Sequence, residues 1–355
     1  YAIFGGLKAV AVSDTINAVG LLVGGLLIPI FGLMAIGDGG IINGLEVLVD
    51  SNPEKFNSIG GPEASVPFST IFTGMMLVQL FYWGTNQAII QRALAAKNLR
   101  EGQKGLMLAA FIKILGPIIV VLPGIIAWHM FQGDLDNADQ AYPALVNAVL
   151  PPVLTGFFAA VLFGAILSSF NSALNSSVTL FGIDIYKQYF NQEASEAKVV
   201  KQGKRFGIFL AIGAMLIAPF IANAPQGLFG YLQEVNGSYS IPILTIVIVG
   251  YLTKRIPAIA AKVAIFSGVG FYLIYLGLKY FVVGEDALPH YLHVMAILFV
   301  LNVLIMFIIG KWKPRIEPFI LDYTKQVDIQ PWKLVKPVGL GIVVLVVFIY
   351  AYFAQ

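Results

Sequence analysis

The sequence predicts an all-α, polytopic membrane protein, and three observations lead there. Of its 355 residues, 58% are hydrophobic and only 12% charged, about half the charge of a soluble domain. Apolar runs long enough to cross a bilayer core, roughly 20 residues of helix, recur along the whole chain. The connections between them alternate between basic and acidic. Continuous runs, without period-two alternation, exclude a membrane β-barrel. The absence of cysteine removes disulfides, thiol catalysis and Cys-ligated zinc. A net charge of +3 with scattered basic residues gives nucleic acid no electrostatic footprint. The chain starts at Tyr1 with no basic leader before its first apolar run, so it reads as the inside of a longer protein, not a signal peptide.

Nine spans are expected, at 3–36, 67–97, 105–131, 151–187, 204–224, 226–252, 257–281, 290–311 and 335–353. The first, second and fourth exceed one straight crossing and must tilt, break or project. Basic clusters lie in 92–104, 187–205, 254–262 and 311–336 and, with Lys8, hold 19 of the 22 Lys and Arg residues. The intervening connections are acidic: Asp38, Glu46, Asp50, Glu54 and Glu63, then Asp134, Asp136 and Asp139, then Glu285 and Asp286. Basic loops stay cytoplasmic, which puts the N-terminal edge inside and the C-terminus outside.

Charged or amide side chains at bilayer depth cost about 2.5–3.5 kcal/mol each on insertion scales, so they face a cavity or a partner. Asp14 and Asn17 sit one turn apart in the first span; Asp14 either pairs with Lys8, is hydrated at the interface, or lines a cation's exit path. In the second span Gln79, Tyr82 and Asn86 fall at helical spacing. The run Phe81-Tyr82-Trp83-Gly84-Thr85-Asn86-Gln87 suggests a broken helix that frees carbonyls and presents an aromatic surface. Lys113 stands alone in the third span, about 13 Å along the helix from Lys104 at 1.5 Å per residue, and needs an acceptor. Gly116, Pro117 and Pro123 beyond it predict a distorted helix. The fourth span carries Ser168, Ser169, Asn171, Ser172, Asn175, Ser176, Ser177, Thr179 and Asp184. Many of these serve close packing, but Ser168 and Ser169 with a carbonyl of the preceding turn could hold a small monovalent cation; Ca²⁺ and Mg²⁺ prefer carboxylates. The stretch Gln233 to Ser240, with Glu234 and Gly237, reads as unwound or cavity-lining, or else as a short outer loop. His290 and His293 read as interfacial residues, not metal ligands. No P-loop, GxSxG or HExxH motif is present.

At this point a resemblance becomes specific. The tract from Ile166 to Tyr186, with its Leu-Ser-Ser-Phe-Asn-Ser core, resembles the sodium-site helix of the solute:sodium symporter family. The run Phe81 to Lys97 is similar to the sodium/glucose branch, and the whole is most similar to a bacterial sodium/galactose symporter. Gly5-Gly6-Leu7-Lys8-Ala9 and Leu232-Gln233 match further family segments. The resemblance implies a LeuT-like core of two inverted five-helix repeats with extra C-terminal helices, its first four helices missing from this chain. Residues 1–36 would be the last helix of the first repeat, 67–252 the second repeat and 257–355 three peripheral helices. It further implies the Ala165 carbonyl, Ser168 and Ser169 as sodium ligands and Tyr82 as a gate stacking on sugar beside Trp83. Gln79, Lys113 and Gln233 would contact sugar hydroxyls, and Asp14 would line the ion path.

The implied activity is sodium-coupled import of a hexose such as galactose or glucose across a bacterial inner membrane, with no cofactor. The alternatives are sodium-coupled transport of another solute, such as proline or a carboxylate, or a membrane enzyme using Lys113 or Asp184.

Overall fold

The computed structural model describes residues 2–354 except 63, 65, 133, 136, 222–226, 285–286 and 321–324, and the side chains of 2–10 and 227–229 are also outside the description. The Lys8 side chain and the acids Glu63, Asp136, Glu285 and Asp286 therefore lie outside the described residues.

Described secondary structure is helical. The first helix, α1 (Ala2–Ile36), runs 35 residues through Pro29. It stops at a turn where Asp38 and Gly39 take positive φ, 49° and 93°, a conformation glycine adopts without strain. The acidic connection contains α2 (Ile41–Ser51). The second expected span is in pieces: α3 (Phe68–Thr70), a π-helical stretch Ile71–Met75, α4 (Met76–Gly84) and α5 (Gln87–Leu94). Next come α6 (Leu99–Lys113), π-helical Pro117–Val121 and α7 (Leu122–Phe131). The Asn98 side chain accepts from the Glu101 amide at 2.9 Å and caps α6. In the outer connection stands α8 (Ala141–Val149). Then follow α9 (Pro152–Leu180), continued π-helically to Phe190, and α10 (Glu196–Ile221). The remainder is α11 (Gly227–Leu252), α12 (Ala258–Leu278) with π-helical Lys279–Val283, α13 (Tyr291–Trp312) and α14 (Val335–Tyr352).

Among the described residues, eight helical segments are long and apolar enough to cross a membrane, the longest being Pro152–Phe190 at 39 residues. The second expected span, 67–97, is absent from that set because it breaks twice. Thr73 has non-helical backbone angles, and Thr85 and Asn86 interrupt the helix after Gly84. The distortion expected after Lys113 is present: the Ile114 and Leu115 amides turn back to the carbonyls of Phe111 and Ile112. The stretch 233–240, by contrast, is not unwound. It is regular helix, because Gly237 serves a close approach: a methyl group on it would lie 2.1 Å from Met295 Cε and 2.6 Å from the Tyr272 hydroxyl. Nor is it a loop.

The chain folds into two compact units that interleave in sequence: residues 1–58, 91–227 and 329–355 form the first, and 59–90 and 228–328 the second. In the first unit α1 packs along α9, and an apolar core gathers Ile28, Leu48, Ile126, Leu145 and Phe158. In the second, Leu77, Phe81, Ile241, Tyr272, Leu292 and Met295 form the core. Here the π-helical turn meets α13 backbone to backbone: a methyl group on Gly74 would lie 1.9 Å from the Leu292 carbonyl oxygen. The His293 ring fastens the same contact, bonded to Ser69 at 3.2 Å and Thr73 at 3.1 Å. Large apolar side chains point outward, such as Phe220 at 85% exposure, and α14 buries none of its residues. A surface this apolar suits lipid.

Candidate functional site

In the first unit the polar residues of α1 and α9 meet in one seam. Glycine at 164 lets the helices approach closely enough for the Asn17 side chain to donate to the Gly164 carbonyl at 3.0 Å. One turn along, the Ser168 hydroxyl donates to Asp14. Arg92, on α5, donates to the same carboxylate from Nε at 2.8 Å and from Nη2 at 2.5 Å, and Nη2 also donates to Ser172. The Ser172 hydroxyl in turn donates to the Ser168 carbonyl at 2.7 Å. Gln91 extends the network, donating to the Ser172 carbonyl at 3.4 Å and accepting from Asn175 at 3.2 Å. Asp14 is thus paired with Arg92; the Lys8 side chain, one of the alternatives for it, is outside the described residues.

This network shows what the stripe of small polar residues in α9 does. Ser177 and Thr179 return their hydroxyls to carbonyls four residues back, the packing role that needs no ligand. Ser168 instead reaches across to α1, and Ser172 adds to the same return bond an acceptor role toward Arg92 of α5. Ala165 and Ser168 are half-buried and Ser169 exposed, all within about one turn. Two hydroxyls, carbonyls and one nearby carboxylate can replace part of the hydration shell of a monovalent cation. Asp184 is exposed in the π-helical end. Lys113 closes α6 and is exposed.

The second unit holds the other expected residues. Tyr82 and Trp83 stand at the broken end of α4, 39% and 37% exposed, with ring centroids 5.5 Å apart and planes at 80°. The Phe81 carbonyl stabilises the break, accepting from the Thr85 and Asn86 amides and from the Thr85 hydroxyl. Asn86 does not continue the Gln79–Tyr82 face, because the helix ends first; its side chain accepts from the Ala88 amide at 3.0 Å at the start of α5. Exposed Gln79 donates to the Met75 sulfur at 3.7 Å. Phe81 points the other way, edge-on to Tyr239 of α11 at 5.9 Å, and so ties α4 to the helix that carries Gln233. Gln233 itself is half-buried.

Beside it, Glu234 makes the contact that sequence reasoning did not find. Lys279 donates to its Oε1 at 2.7 Å and Tyr280 to its Oε2 at 2.5 Å. The Tyr272 hydroxyl donates to its carbonyl at 2.8 Å. Both charged side chains are buried, 8% and 3% exposed. One signal was available: Lys279 is one of three basic residues outside the basic connections. Arg92 was missed for the opposite reason, since it reads as a member of a cytoplasmic loop. His290 and His293 are not merely interfacial: His290 accepts from the Leu292 amide to cap α13, and His293 bridges to Ser69 and Thr73.

Residues 1–268 match the model of the sodium:solute symporter family. The chain belongs to that family. The chain is 49% identical over 355 residues to the "Uncharacterized symporter YidK" of Escherichia coli (strain K12), covering all of this chain and 61% of the relative. It is 36% identical over 295 residues to the "Sodium/glucose cotransporter" of Vibrio parahaemolyticus, across 77% of this chain and 54% of the relative. The chain therefore spans a little over half the length of these relatives. A solved structure of a Na⁺-coupled sialic acid symporter in a substrate-bound, outward-open state superposes with a TM-score of 0.74 at 21% identity, over 90% of this chain and 65% of the other. That likeness shows the fold, an all-helical LeuT-type transporter core with multiple membrane spans. Family and relatives are symporters, so the membrane-enzyme alternative falls away.

Proposed function

We propose that this symporter chain serves sodium-coupled import of a hexose, galactose or glucose, across a bacterial inner membrane. The observation that carries the sugar assignment is the exposed Tyr82–Trp83 pair at a helix break. A hexose has a flat apolar face for an aromatic platform and hydroxyls for amides, here Gln79 and Gln233, with Lys113 as a further donor. The name of the Vibrio parahaemolyticus relative supports the same substrate class. Tyr82 would act as the inner gate.

For sodium, the Ala165 carbonyl, Ser168 and Ser169 supply part of the ligand shell, with Asp14 on the release path. Arg92 bears on that path, because its guanidinium competes with a cation for Asp14. In the repeat assignment, 1–36 closes the first repeat, 67–252 is the second and 257–355 is peripheral. The broken segment 67–97 counts as one crossing, and charge alternation puts the C-terminus outside. One charge moving down 100 mV yields about 2.3 kcal/mol, roughly a fifty-fold sugar gradient.

The test is uptake of labelled galactose into proteoliposomes with and without an inward sodium gradient, competed by glucose, proline and sialic acid. Gradient-dependent uptake blocked by hexoses is expected. Equal uptake in both conditions would refute coupling, and block by proline or sialic acid alone would refute the substrate.

A further inference from the structure

The basic end of the second unit holds a cavity of about 500 Å³ between α11, α12 and α13. Its walls are apolar, with Ile246, Gly250, Ala261 and Met306, and Lys254 and Arg315 stand at its rim. Two main-chain hydrogen bonds hold that rim in place. The Arg315 amide donates to the Arg255 carbonyl and the Phe319 amide to the Lys254 carbonyl, each at 2.8 Å. The Arg315 guanidinium lies over the Phe319 ring at 5.5 Å, which orients its planar fork. Among the described residues neither Lys254 nor Arg315 is in an ion pair. The first turn of α12 also reaches the cavity at Ala258. Its cap residue is Pro257, with no side-chain bond to the open amides, so the helix adds partial positive charge there. Tyr251 and Trp312 nearby are 78% and 82% exposed, as aromatic side chains are at headgroup depth.

A cavity with two cations and a helix N-terminus at its mouth, apolar walls within and interfacial aromatics beside it matches one chemistry: an anionic headgroup on a hydrocarbon tail. We infer that this cavity binds one anionic phospholipid, its phosphate between Lys254, Arg315 and the start of α12, its upper acyl chain along α11. The site depends only on the chain being in a membrane and is independent of the transported solute. It ties lipid composition to α11, the helix that carries Gln233 and Glu234.

The experiment is native mass spectrometry of the detergent-purified protein titrated with phosphatidylglycerol or phosphatidylcholine. The protein should retain one phosphatidylglycerol in preference to phosphatidylcholine by about thirty-fold, as two cations near an anionic headgroup provide. The double variant Lys254→Gln/Arg315→Gln should lose that preference, while Arg100→Gln/Lys104→Gln, at another basic connection, should keep it. A methyl group at Gly250 would meet nothing within 4 Å, so Gly250→Leu has room at its branch point and should fill the cavity and weaken binding with both charges intact. No headgroup preference in the unmodified protein, or one that survives in either site variant, would overturn the inference. So would displacement of the bound lipid by millimolar inorganic phosphate, which would make the site one for a free anion. No arm requires transport, so failure here and failure of the symport proposal are separable.

Discussion

Replacing Lys279 with methionine tests how far the second unit depends on one buried ion pair. At 2.7 Å and an effective dielectric of about 20, Lys279 and Glu234 attract by about 6 kcal/mol. Removing the two ions from water costs several kcal/mol each, so the intact pair is close to neutral for stability. Removing one partner is another matter. Lys279→Met leaves the Glu234 carboxylate at 3% exposure with the Tyr280 hydroxyl still donating, and should destabilise the protein by about 3–5 kcal/mol. Adding Glu234→Gln removes the stranded charge while its amide oxygen still accepts from Tyr280, and should return stability to within about 1 kcal/mol of the starting protein. Unfolding in mixed detergent micelles, followed by tryptophan fluorescence, measures all three proteins. A single variant costing under about 1 kcal/mol, or a double variant no more stable than Lys279→Met alone, would refute the reasoning.

Four further outcomes are expected. Arg92→Lys should destabilise by about 1.5–3 kcal/mol in the same assay, because one ammonium cannot reproduce the fork shared by Asp14 and Ser172; an unchanged midpoint would contradict this. Gly74→Ala should lower stability by about 1–3 kcal/mol, since the clash is with a backbone carbonyl and not a side chain that can turn away; thermal melting checks it. In proteoliposomes, Ser169→Ala should raise the sodium concentration for half-maximal uptake about ten-fold. Tyr82→Ala should raise the sugar KM about three- to ten-fold, with Tyr82→Phe close to the starting protein; the reverse order would remove Tyr82 from the sugar site.

Much of the fold is legible in the sequence, because span length and charge alternation are local properties. The apolar runs place eight membrane-length helices near their observed limits, and Gly84-Thr85-Asn86 announces a break in the second expected span. Position 237 shows where local reading fails: glycine and its polar neighbours look like a break, yet Tyr272 and Met295, distant in sequence, make it a contact. The site divides the same way. Tyr82, Trp83, Ser168 and Ser169 stand out by type and setting. Arg92 and Lys279 do not, because each is defined by a carboxylate more than 40 residues away, and α8 hides in a connection whose charges suggest only a loop.

The meeting of Gly74 with Leu292 has a mechanical consequence. Side-chain contacts can slip by changing rotamers, but two main chains in touch have no such freedom, so residues 71–84 and α13 must travel as one piece. The break at Thr85 and Asn86, where α4 has ended, is the compliant point. Tyr82 therefore sits at the tip of a lever whose fulcrum lies at Gly74. A small tilt of α13 would be magnified at the aromatic ring, about 12 Å further along by helical rise, without any rearrangement of the core between them.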